Sequence, residues 1–569
     1  MPSGSRLLWI ALFAWRLVGY ACCQNYDALN RLNISLDGRL REALPLAAPC
    51  YSDPDGADCT SLRDRLESGY PGTFRTDKYQ GFQYIQSEGC AVDPSNQCLL
   101  NGTSVHDLAN SACEQGVVSP HYVEVTGASD VQAVFNYARQ SGATLSIKNS
   151  GHDYVMRSSR RRSLAIWTRG LREMTYAPAF VPAGCTDGPD PARAVTLGAG
   201  VSLDEAFAFA HQNGVLFSGG SVGTIGASGG WLLNGGHGVL SGSLGLGVDR
   251  VLQFTIVTPD GQLRVANRCT NPDLFWALRG GGGGSFGVVL DSTHLVEPEG
   301  PLTAAILIFQ GTADEQRRFV GIMAENMPDW ALEGWGGPSG TSYTALVNPY
   351  INVSQAETML APAIGHVRSL NGSVSLETYD SFFDFYAEVM NGTMAVPEAI
   401  NSAVVTTNRI IPEAVFLDTP AREKMVDAIV EMQEAGMQTT FLTTMPLRYG
   451  RRHHAPETSL HPAWYESVWI IGTAAGWSSS SSLEERKGLV DRLRSASEKW
   501  REVAPEGCAY ANEADPWLQD WAQQFWGGNY ARLVGIKQNV DPDGLLSCWH
   551  CVGWDESLPD YECISGLAV

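Results

Sequence analysis

The chain has 569 residues, of which 44% are hydrophobic and 18% are charged, and this composition excludes a largely disordered protein. Its 39 Lys and Arg residues stand against 61 Asp and Glu residues, which gives a net charge of −22. Such an acidic surface repels phosphate backbones and anionic lipid headgroups, so we expect neither nucleic acid nor a membrane as a partner. The sequence has no run of about 20 apolar residues that could span a bilayer.

The N-terminus has the order of a secretory signal peptide. Arg6 precedes the apolar stretch 7–15, and small residues follow up to Cys23. We therefore predict a signal peptide over residues 1–23 and a secreted protein; the alternative is a frayed N-terminal helix. Five Asn-x-Ser/Thr sequons agree with export and are predicted surface glycosylation sites: Asn33, Asn101, Asn352, Asn371 and Asn391.

The 13 cysteines are concentrated towards the two ends of the chain. In an oxidising compartment they are predicted to form disulfides, and the sequence leaves the pairing open. The N-terminal group, in a segment over 24–114, is Cys50, Cys59, Cys90, Cys98 and Cys113. The C-terminal group is Cys508, Cys548, Cys551 and Cys563. Zinc needs about four ligands, and no second cysteine pair is spaced to complete a site with Cys548 and Cys551. We therefore predict a disulfide there and no metal site.

Hydrophobic periodicity and capping signals predict the elements in chain order. The first is a strand over 121–125, followed by a helix that is capped at Ser129-Asp130 and ends near Gly142. A strand over 143–148 comes next, and then a helix that starts with a Ser202/Glu205 capping box and ends at Gly214. A hairpin follows, with strands over 251–258 and 262–266 around Asp260-Gly261. Longer helices are predicted to start at Thr419-Pro420 and at Ser482 with Glu485. The pattern indicates an α+β unit over 115–300, followed by a more helical region.

Glycine is dense over residues 219–247 and unbroken over 280–284, which favours close approach of the backbone to a ligand and free N–H groups for phosphates. The second run matches a dinucleotide fingerprint by spacing alone. A helix-like stretch precedes it and a strand-like stretch follows, which is the reverse of a Rossmann site. His152 follows the strand 143–148 in a Gly-His turn; taken by itself, it could equally be a turn histidine without a role.

Three motifs together resemble one family: Lys148-Asn149-Ser150-Gly151-His152-Asp153-Tyr154, Gly235-Gly236-His237-Gly238, and Tyr510-Ala511-Asn512-Glu513 with the later Asn529-Tyr530. They resemble the FAD-linked oxidases of the vanillyl-alcohol-oxidase superfamily, in the berberine-bridge-enzyme-like branch, and the chain looks like its secreted fungal members. The resemblance implies an α+β fold. A PCMH-type FAD-binding domain over 115–300 would be completed by a C-terminal segment over 505–569, and a substrate domain over 301–504 would hold an antiparallel sheet backed by helices.

The resemblance also implies FAD attached covalently, through its 8α-carbon, to His152, whose neutral imidazole is a suitable nucleophile. Many members carry a second attachment through a Cys three residues before a Val/Ile-Gly pair. Here that position is Val222, before Ile225-Gly226, so a single attachment is expected. The other residues expected around the cofactor are Asn149, Ser150, Gly151, Asp153, Ser158, Gly220, Ser221, Val222, Gly226, Gly229, Gly230, Gly236, His237, Gly242 and Asn529.

The C-terminal motif would bring a catalytic side chain over the flavin. Glu513 stands where the plant-like branch often has Tyr, and desolvation there would suit proton transfer near neutral pH. Tyr510 is the second candidate; the alternative for Glu513 is a surface carboxylate. The expected activity is oxidation of an alcohol, a sugar or a secondary metabolite, with molecular oxygen reoxidising the flavin. The alternatives are a non-redox isomerase or cyclase that uses Glu513 as a general acid, and a non-catalytic flavin- or carbohydrate-binding glycoprotein.

Overall fold

The computed structural model describes residues 27–67, 73–100, 108, 111–186, 190–393, 402–453, 457–557 and 561–568. The predicted signal peptide and the sequon at Asn101 lie outside the described residues. Among the helices of the described part, none is long and apolar enough to pass through a bilayer.

Helices occur along the whole described chain. After a helical stretch over 27–35, they are Ala48–Ser52, Ala57–Glu67, Thr73–Thr76, Ala128–Ser141, Leu203–Gln212, Gly230–Leu233, Ser241–Leu244, Gly247–Arg250, Pro272–Leu278, Ala313–Leu332, Val353–Met359, Ala361–Ser369, Phe382–Phe385, the π-helix Tyr386–Thr393, Glu413–Leu417, Thr419–Glu434, Leu447–His453, Leu483–Val503, Trp521–Trp526, Tyr530–Val540 and Glu562–Ser565.

The strands form four sheets. They are β1 (Leu40–Glu42), β2 (His121–Glu124), β3 (Leu145–Lys148), β4 (Leu164–Trp167), β5 (Met174–Phe180), β6 (Ala192–Gly198), β7 (Val215–Leu216), β8 (Val251–Val257), β9 (Leu263–Ala266), β10 (Val288–Leu295), β11 (Glu297–Pro298), β12 (Leu302–Ile308), β13 (Gly337–Ser339), β14 (Tyr343–Asn348), β15 (Ser373–Tyr379), β16 (Ser402–Pro412), β17 (Gln438–Thr443) and β18 (Ser467–Ser478).

Two sheets belong to the N-terminal half of the molecule. The first has four strands in the order β1-β2-β4-β3, with β2 and β3 parallel to β4. The second has five antiparallel strands in the order β5-β6-β10-β8-β9. The glycine-dense residues 219–247 lie in the chain between β7 and β8, and the turn with His152 directly follows β3.

The third large sheet has seven antiparallel strands in the order β15-β12-β14-β13-β17-β18-β16. One face packs on helices through a buried layer of Ala305, Leu307, Leu346, Phe441, Trp469 and Ile471 from the strands and Phe319, Met323, Met327, Met425 and Ile429 from the helices. Side chains alternate along a strand, so their neighbours Thr406, Thr440 and Leu442 face the other side and line the central cavity. The α+β fold with an antiparallel sheet backed by helices is confirmed.

Local sequence signals located most of the predicted elements. Ser202 with Glu205 and Ser482 with Glu485 form capping boxes at the starts of their helices. The hairpin of β8 and β9 is also confirmed. The predicted cap of the helix Ala128–Ser141 is wrong, because its N-cap is Gly127 and the Asp130 carboxylate accepts hydrogen bonds from the N–H and hydroxyl of Thr126.

Five disulfides are present among the described cysteines: Cys50–Cys59, Cys90–Cys563, Cys98–Cys113, Cys185–Cys269 and Cys548–Cys551. The expected disulfide at Cys548 and Cys551 is therefore formed, and no His, Cys, Asp or Glu cluster of the described residues could hold a metal ion. Cys508 was also expected to pair, and that expectation is wrong. It is a free, fully buried thiol whose pKa burial raises to about 12.

Cys90–Cys563 ties the N-terminal segment to the C-terminal tail across 473 residues of sequence. Replacing both cysteines by Ser should lower the free energy of unfolding by about 2–5 kcal/mol, because the bond restricts the unfolded chain. The thermal unfolding midpoint measures the effect. Cys508→Ala, which removes a buried thiol but no disulfide, is the control and should shift the midpoint less; equal shifts would contradict the expectation.

Candidate active site

A cavity of about 1010 Å³ lies between the glycine-rich turns and the open face of the seven-stranded sheet. Its volume is at the upper end of small-molecule sites, which are about 300–1,000 Å³, so a dinucleotide-sized ligand fits the space. Three parts of the chain meet there: the turn 149–158, the glycine segment 220–237, and the C-terminal residues 510–513.

The turn that carries His152 rests on a buried lysine. The Lys148 ammonium, at the end of β3, donates hydrogen bonds to the carbonyls of Lys78, Tyr79 and Gly81 at 2.6–2.9 Å. Burial holds the pKa of Lys148 well below its usual value. Gly151 has φ +87°, and a Cβ there would lie 2.8 Å from Lys148 Cε, so glycine is required where the turn passes over the lysine.

His152 lines the cavity as a neutral imidazole. Burial, and then the charge of Lys148, lower its pKa to about 4. Its Nε2 atom lies 2.6 Å from the Thr224 hydroxyl, on the glycine segment across the cavity. The ring is therefore uncharged near neutral pH, which is the form able to act as a nucleophile.

Asn149 fixes the glycine segment against the turn. Its amide nitrogen donates to the Thr168 hydroxyl at 3.0 Å and to the Ala199 carbonyl. A Cβ on Gly226 would lie 1.6 Å from Asn149 Oδ1, and one on Gly229 would lie 2.5 Å from it. Both positions therefore exclude any side chain, and the backbone is left open to a ligand such as a pyrophosphate.

The C-terminal residues form an acid–base cluster on the cavity wall. Glu513 Oε1 lies 3.7 Å from His237 Nε2, and their side chains are 30% and 11% exposed. The Tyr510 ring packs edge-on against His237, with centroids 4.9 Å apart. Burial first, and then the charge of Glu513, raise the pKa of Tyr510 strongly and that of Tyr154 to about 12, so both phenols stay protonated near neutral pH.

Strand β16 holds this cluster in place. The Thr406 hydroxyl donates to the Glu513 carbonyl at 2.8 Å. Asn408 exchanges two hydrogen bonds with the backbone of Tyr510, at 2.8 and 2.9 Å. The Asn512 amide donates to the Tyr510 hydroxyl at 2.7 Å and to the Gly230 carbonyl at 3.0 Å. The C-terminal segment thus joins the seven-stranded sheet to the glycine segment.

The cavity brings together most of the predicted site residues: Asn149, Ser150, Gly151, His152, Asp153, Ser158, Gly220, Ser221, Val222, Gly226, Gly229, Gly230, His237, Tyr510 and Glu513. Gly236, Gly242 and Asn529 lie outside this lining. Gly236 packs on the backbone of Gly247, Gly242 lies under Met445, and the Asn529 amide donates to the Leu460 carbonyl at 2.8 Å.

Several lining residues were missed by sequence reasoning. Gln83 Oε1 and Asn234 Oδ1 are buried oxygens without a hydrogen-bond partner in the described chain, on residues that line the cavity. Since buried acceptors are normally satisfied, they suit the hydroxyl, amide and amino donors of a flavin dinucleotide or a substrate. No local motif marks either residue. The cavity-facing residues of β16 and β17 could have been found from strand alternation.

Comparisons with known proteins agree with this geometry. A family model described as "FAD binding domain" matches residues 119–267, and one described as "Berberine and berberine like" matches residues 509–548. The first match contains the His152 turn and the glycine segment, and the second contains Tyr510 and Glu513. FAD is therefore the cofactor for which this cavity is suited.

Named relatives match over nearly the whole chain. The FAD-linked oxidoreductase cheF of Chaetomium globosum is 42% identical over 552 residues, covering 94% of this chain and 88% of the relative. The bifunctional decalin synthase calF of Penicillium decumbens is 29% identical and covers 94% and 92%. The crystal structure of the VAO-type flavoprotein MtVAO615 from Myceliophthora thermophila has a TM-score of 0.79 at 26% identity and covers 93% and 95%.

Gly226→Ala should reduce FAD content severalfold, because the new methyl group would displace the Asn149 carboxamide and the glycine turn with it. The ratio of flavin to protein absorbance in purified protein measures this. Gly321→Ala, in the helix Ala313–Leu332 with no atom within 4 Å of the new Cβ, is the control and should keep normal FAD content. A normal flavin ratio in Gly226→Ala would show that this contact does not shape the site.

Proposed function

This chain belongs to the FAD-linked oxidoreductases, in the berberine-bridge-enzyme-like branch of the vanillyl-alcohol-oxidase superfamily, and we propose that it is a secreted oxidase of an alcohol, a sugar or a secondary metabolite. Membership makes it an enzyme and sets aside a purely binding role. The observation that carries the proposal is the single cavity lined by His152, Glu513 and the open face of the substrate sheet. When bound, FAD would supply the redox chemistry, as acceptor of the substrate's hydride and donor of two electrons to molecular oxygen, which with two protons would give hydrogen peroxide.

We propose that His152 attaches the cofactor covalently and that this is its single attachment. The neutral imidazole supports the assignment, because protonation would remove its nucleophilic lone pair. The Thr224 hydroxyl engages Nε2, so Nδ1 would be the nitrogen available for the bond to the flavin 8α-carbon. Val222 lines the same cavity without a nucleophilic atom, which supports one bond rather than two.

Glu513 would act as the base for the substrate hydroxyl. As the C–H bond releases its hydride, the O–H proton passes to the Glu513 carboxylate and a carbonyl product forms. Tyr510 is unsuited to this task, because its buried phenol is held in the protonated form. Its hydrogen bond with Asn512 instead suits it to orient the substrate from the wall of the cavity.

Secretion is supported by the five disulfides, which are typical of an oxidising compartment. Asn33, Asn352, Asn371 and Asn391 are the described positions proposed to carry glycans. Asn352, Asn371 and Asn391 are exposed, and Asn391 also lies on the lining of the cavity. A glycan at Asn391 would therefore stand beside the entrance for substrate.

The second candidate is a cyclase that uses the same cavity without net redox chemistry. It is favoured by the likeness to a relative named as a bifunctional decalin synthase. In that case Glu513 would deliver a proton to the substrate. Product formation without oxygen uptake distinguishes the cyclase from the oxidase.

Glu513→Gln should lower the oxidation rate by about 10²–10⁴-fold, because the amide cannot accept the hydroxyl proton. Oxygen uptake and peroxide release, screened with alcohols and mono- and oligosaccharides, measure the activity. The control is Glu556→Gln, an exposed carboxylate, which should leave the rate unchanged. Full activity in Glu513→Gln would exclude this residue as the base.

His152→Ala should leave FAD that is released when the protein is precipitated with acid, whereas the wild-type pellet should stay yellow. Flavin absorbance of the supernatant and the pellet measures the split. His453→Ala, an exposed histidine, is the control and should retain its flavin. Flavin that remained attached to denatured His152→Ala would place the covalent bond on another residue.

A further inference from the structure

We propose that His237 is a positioning residue that holds the Glu513 carboxylate charged and directed at the substrate, with Thr444 holding His237. The inference rests on the proposed role of Glu513 as the base. His237 was expected among the cofactor contacts because of its Gly-Gly-His-Gly motif. The contacts of its ring, which are with Glu513, Tyr510 and Thr444, point to the acid–base cluster instead.

The backbone at His237 is held firmly. Its carbonyl accepts a hydrogen bond from Trp231 Nε1 at 3.0 Å. The next residue, Gly238, packs so closely that a Cβ would lie 1.9 Å from the Gly219 carbonyl oxygen. A ring attached to such a backbone has few positions available, which is what a positioning residue requires.

The two ring nitrogens have different partners. Nδ1 lies 3.0 Å from the Thr444 hydroxyl, and Nε2 faces Glu513 Oε1 at 3.7 Å, within ion-pair range. A neutral imidazole carries one N–H, and a lone pair on Nε2 would repel the carboxylate. The favourable arrangement therefore has the Thr444 hydroxyl donating to Nδ1 and the proton on Nε2. Protonation of both nitrogens would also direct an N–H at Glu513.

The imidazole of His237 is the basic side chain that lies beside the Glu513 carboxylate. Of the described Lys, Arg and His side chains, only His237 comes within ion-pair distance of the Glu513 carboxylate. The two phenols nearby accept hydrogen bonds from other residues, Tyr154 from the Tyr84 hydroxyl at 2.7 Å and Tyr510 from the Asn512 amide. Removing the Nε2 donor should therefore make the carboxylate easier to protonate and free to rotate.

Two carboxamide substitutions separate this role from a packing role. His237→Gln places an amide N–H near the position of Nε2 and can still donate to Glu513. His237→Asn places its amide near Nδ1, so it keeps the Thr444 contact and loses the Glu513 contact. The two variants have the same chemistry and differ mainly in which contact they keep.

The experiment is a pH titration of the flavin visible absorbance in the FAD-loaded protein without substrate, from acid pH, below the ordinary range of a carboxyl group, up to pH 9. Other titratable groups on the lining are common to all variants; they are His152, Asp153, Asp204, Tyr84, Tyr154, Tyr343, Tyr510 and Arg157. The Glu513→Gln variant identifies the transition that belongs to this carboxylate, because that transition should be absent from the variant. That transition should move about one pH unit higher in His237→Asn and only a few tenths in His237→Gln, since a lost donor disfavours the charged form.

The outcomes separate the two proposals. Equal shifts in the Asn and Gln variants, or no shift in either, would overturn the role of His237 and leave Glu513 as the base. A transition that persists in Glu513→Gln would place the carboxylate away from the flavin and overturn the base assignment and this inference together. Normal peroxide release from Glu513→Gln would refute the base assignment even if the His237 variants lost activity.

Discussion

The active site depends on one buried charge, the Lys148 ammonium, and its three carbonyl partners at residues 78, 79 and 81. A buried ammonium without these acceptors would lower the stability of the fold. The N-terminal segment therefore cannot separate from the end of β3 without leaving the Lys148 charge unpaired. The aromatic rings of Phe82 and Trp167 also face the ammonium, at 4.5 and 5.6 Å from their centroids. The turn with His152 is thereby built on a rigid support, and the same charge helps to keep the imidazole neutral.

The rest of the cavity is built by parts of the chain that are far apart in sequence. The glycine segment supplies a wall without side chains, and the antiparallel sheet supplies a wall with one side chain at every second residue. The C-terminal segment lies between them because Asn408 and Thr406 of β16 bind its backbone. The backbone of Glu513 is therefore held by the seven-stranded sheet, and its neighbour Asn512 is held by the glycine segment. Changes in that sheet can move Glu513 relative to the glycine segment.

Sequence reasoning succeeded where the determining interaction is local or where a family motif marks it. The capping box of Ser202 and Glu205 lies within four residues, and the family motif around His152 drew attention to a turn that lines the cavity. It failed where contacts join distant segments. Cys508 lies among cysteines that pair, yet none of them approaches it in the fold. The unsatisfied oxygen of Asn234 becomes visible only when its surroundings are known.

The cluster around Glu513 supports the proposal that a carboxylate rather than a phenol accepts the substrate's proton. A phenol as deeply buried as Tyr510 must lose water to form its anion, and the neighbouring charge of Glu513 opposes that anion further. The Glu513 carboxylate, in contrast, is 30% exposed and has the His237 imidazole beside it at 3.7 Å. A negative charge on Glu513 therefore disfavours a second negative charge on Tyr510. In the proposed mechanism Glu513 and Tyr510 would therefore have separate roles, with the carboxylate accepting the proton and the phenol remaining a neutral hydrogen-bonding group.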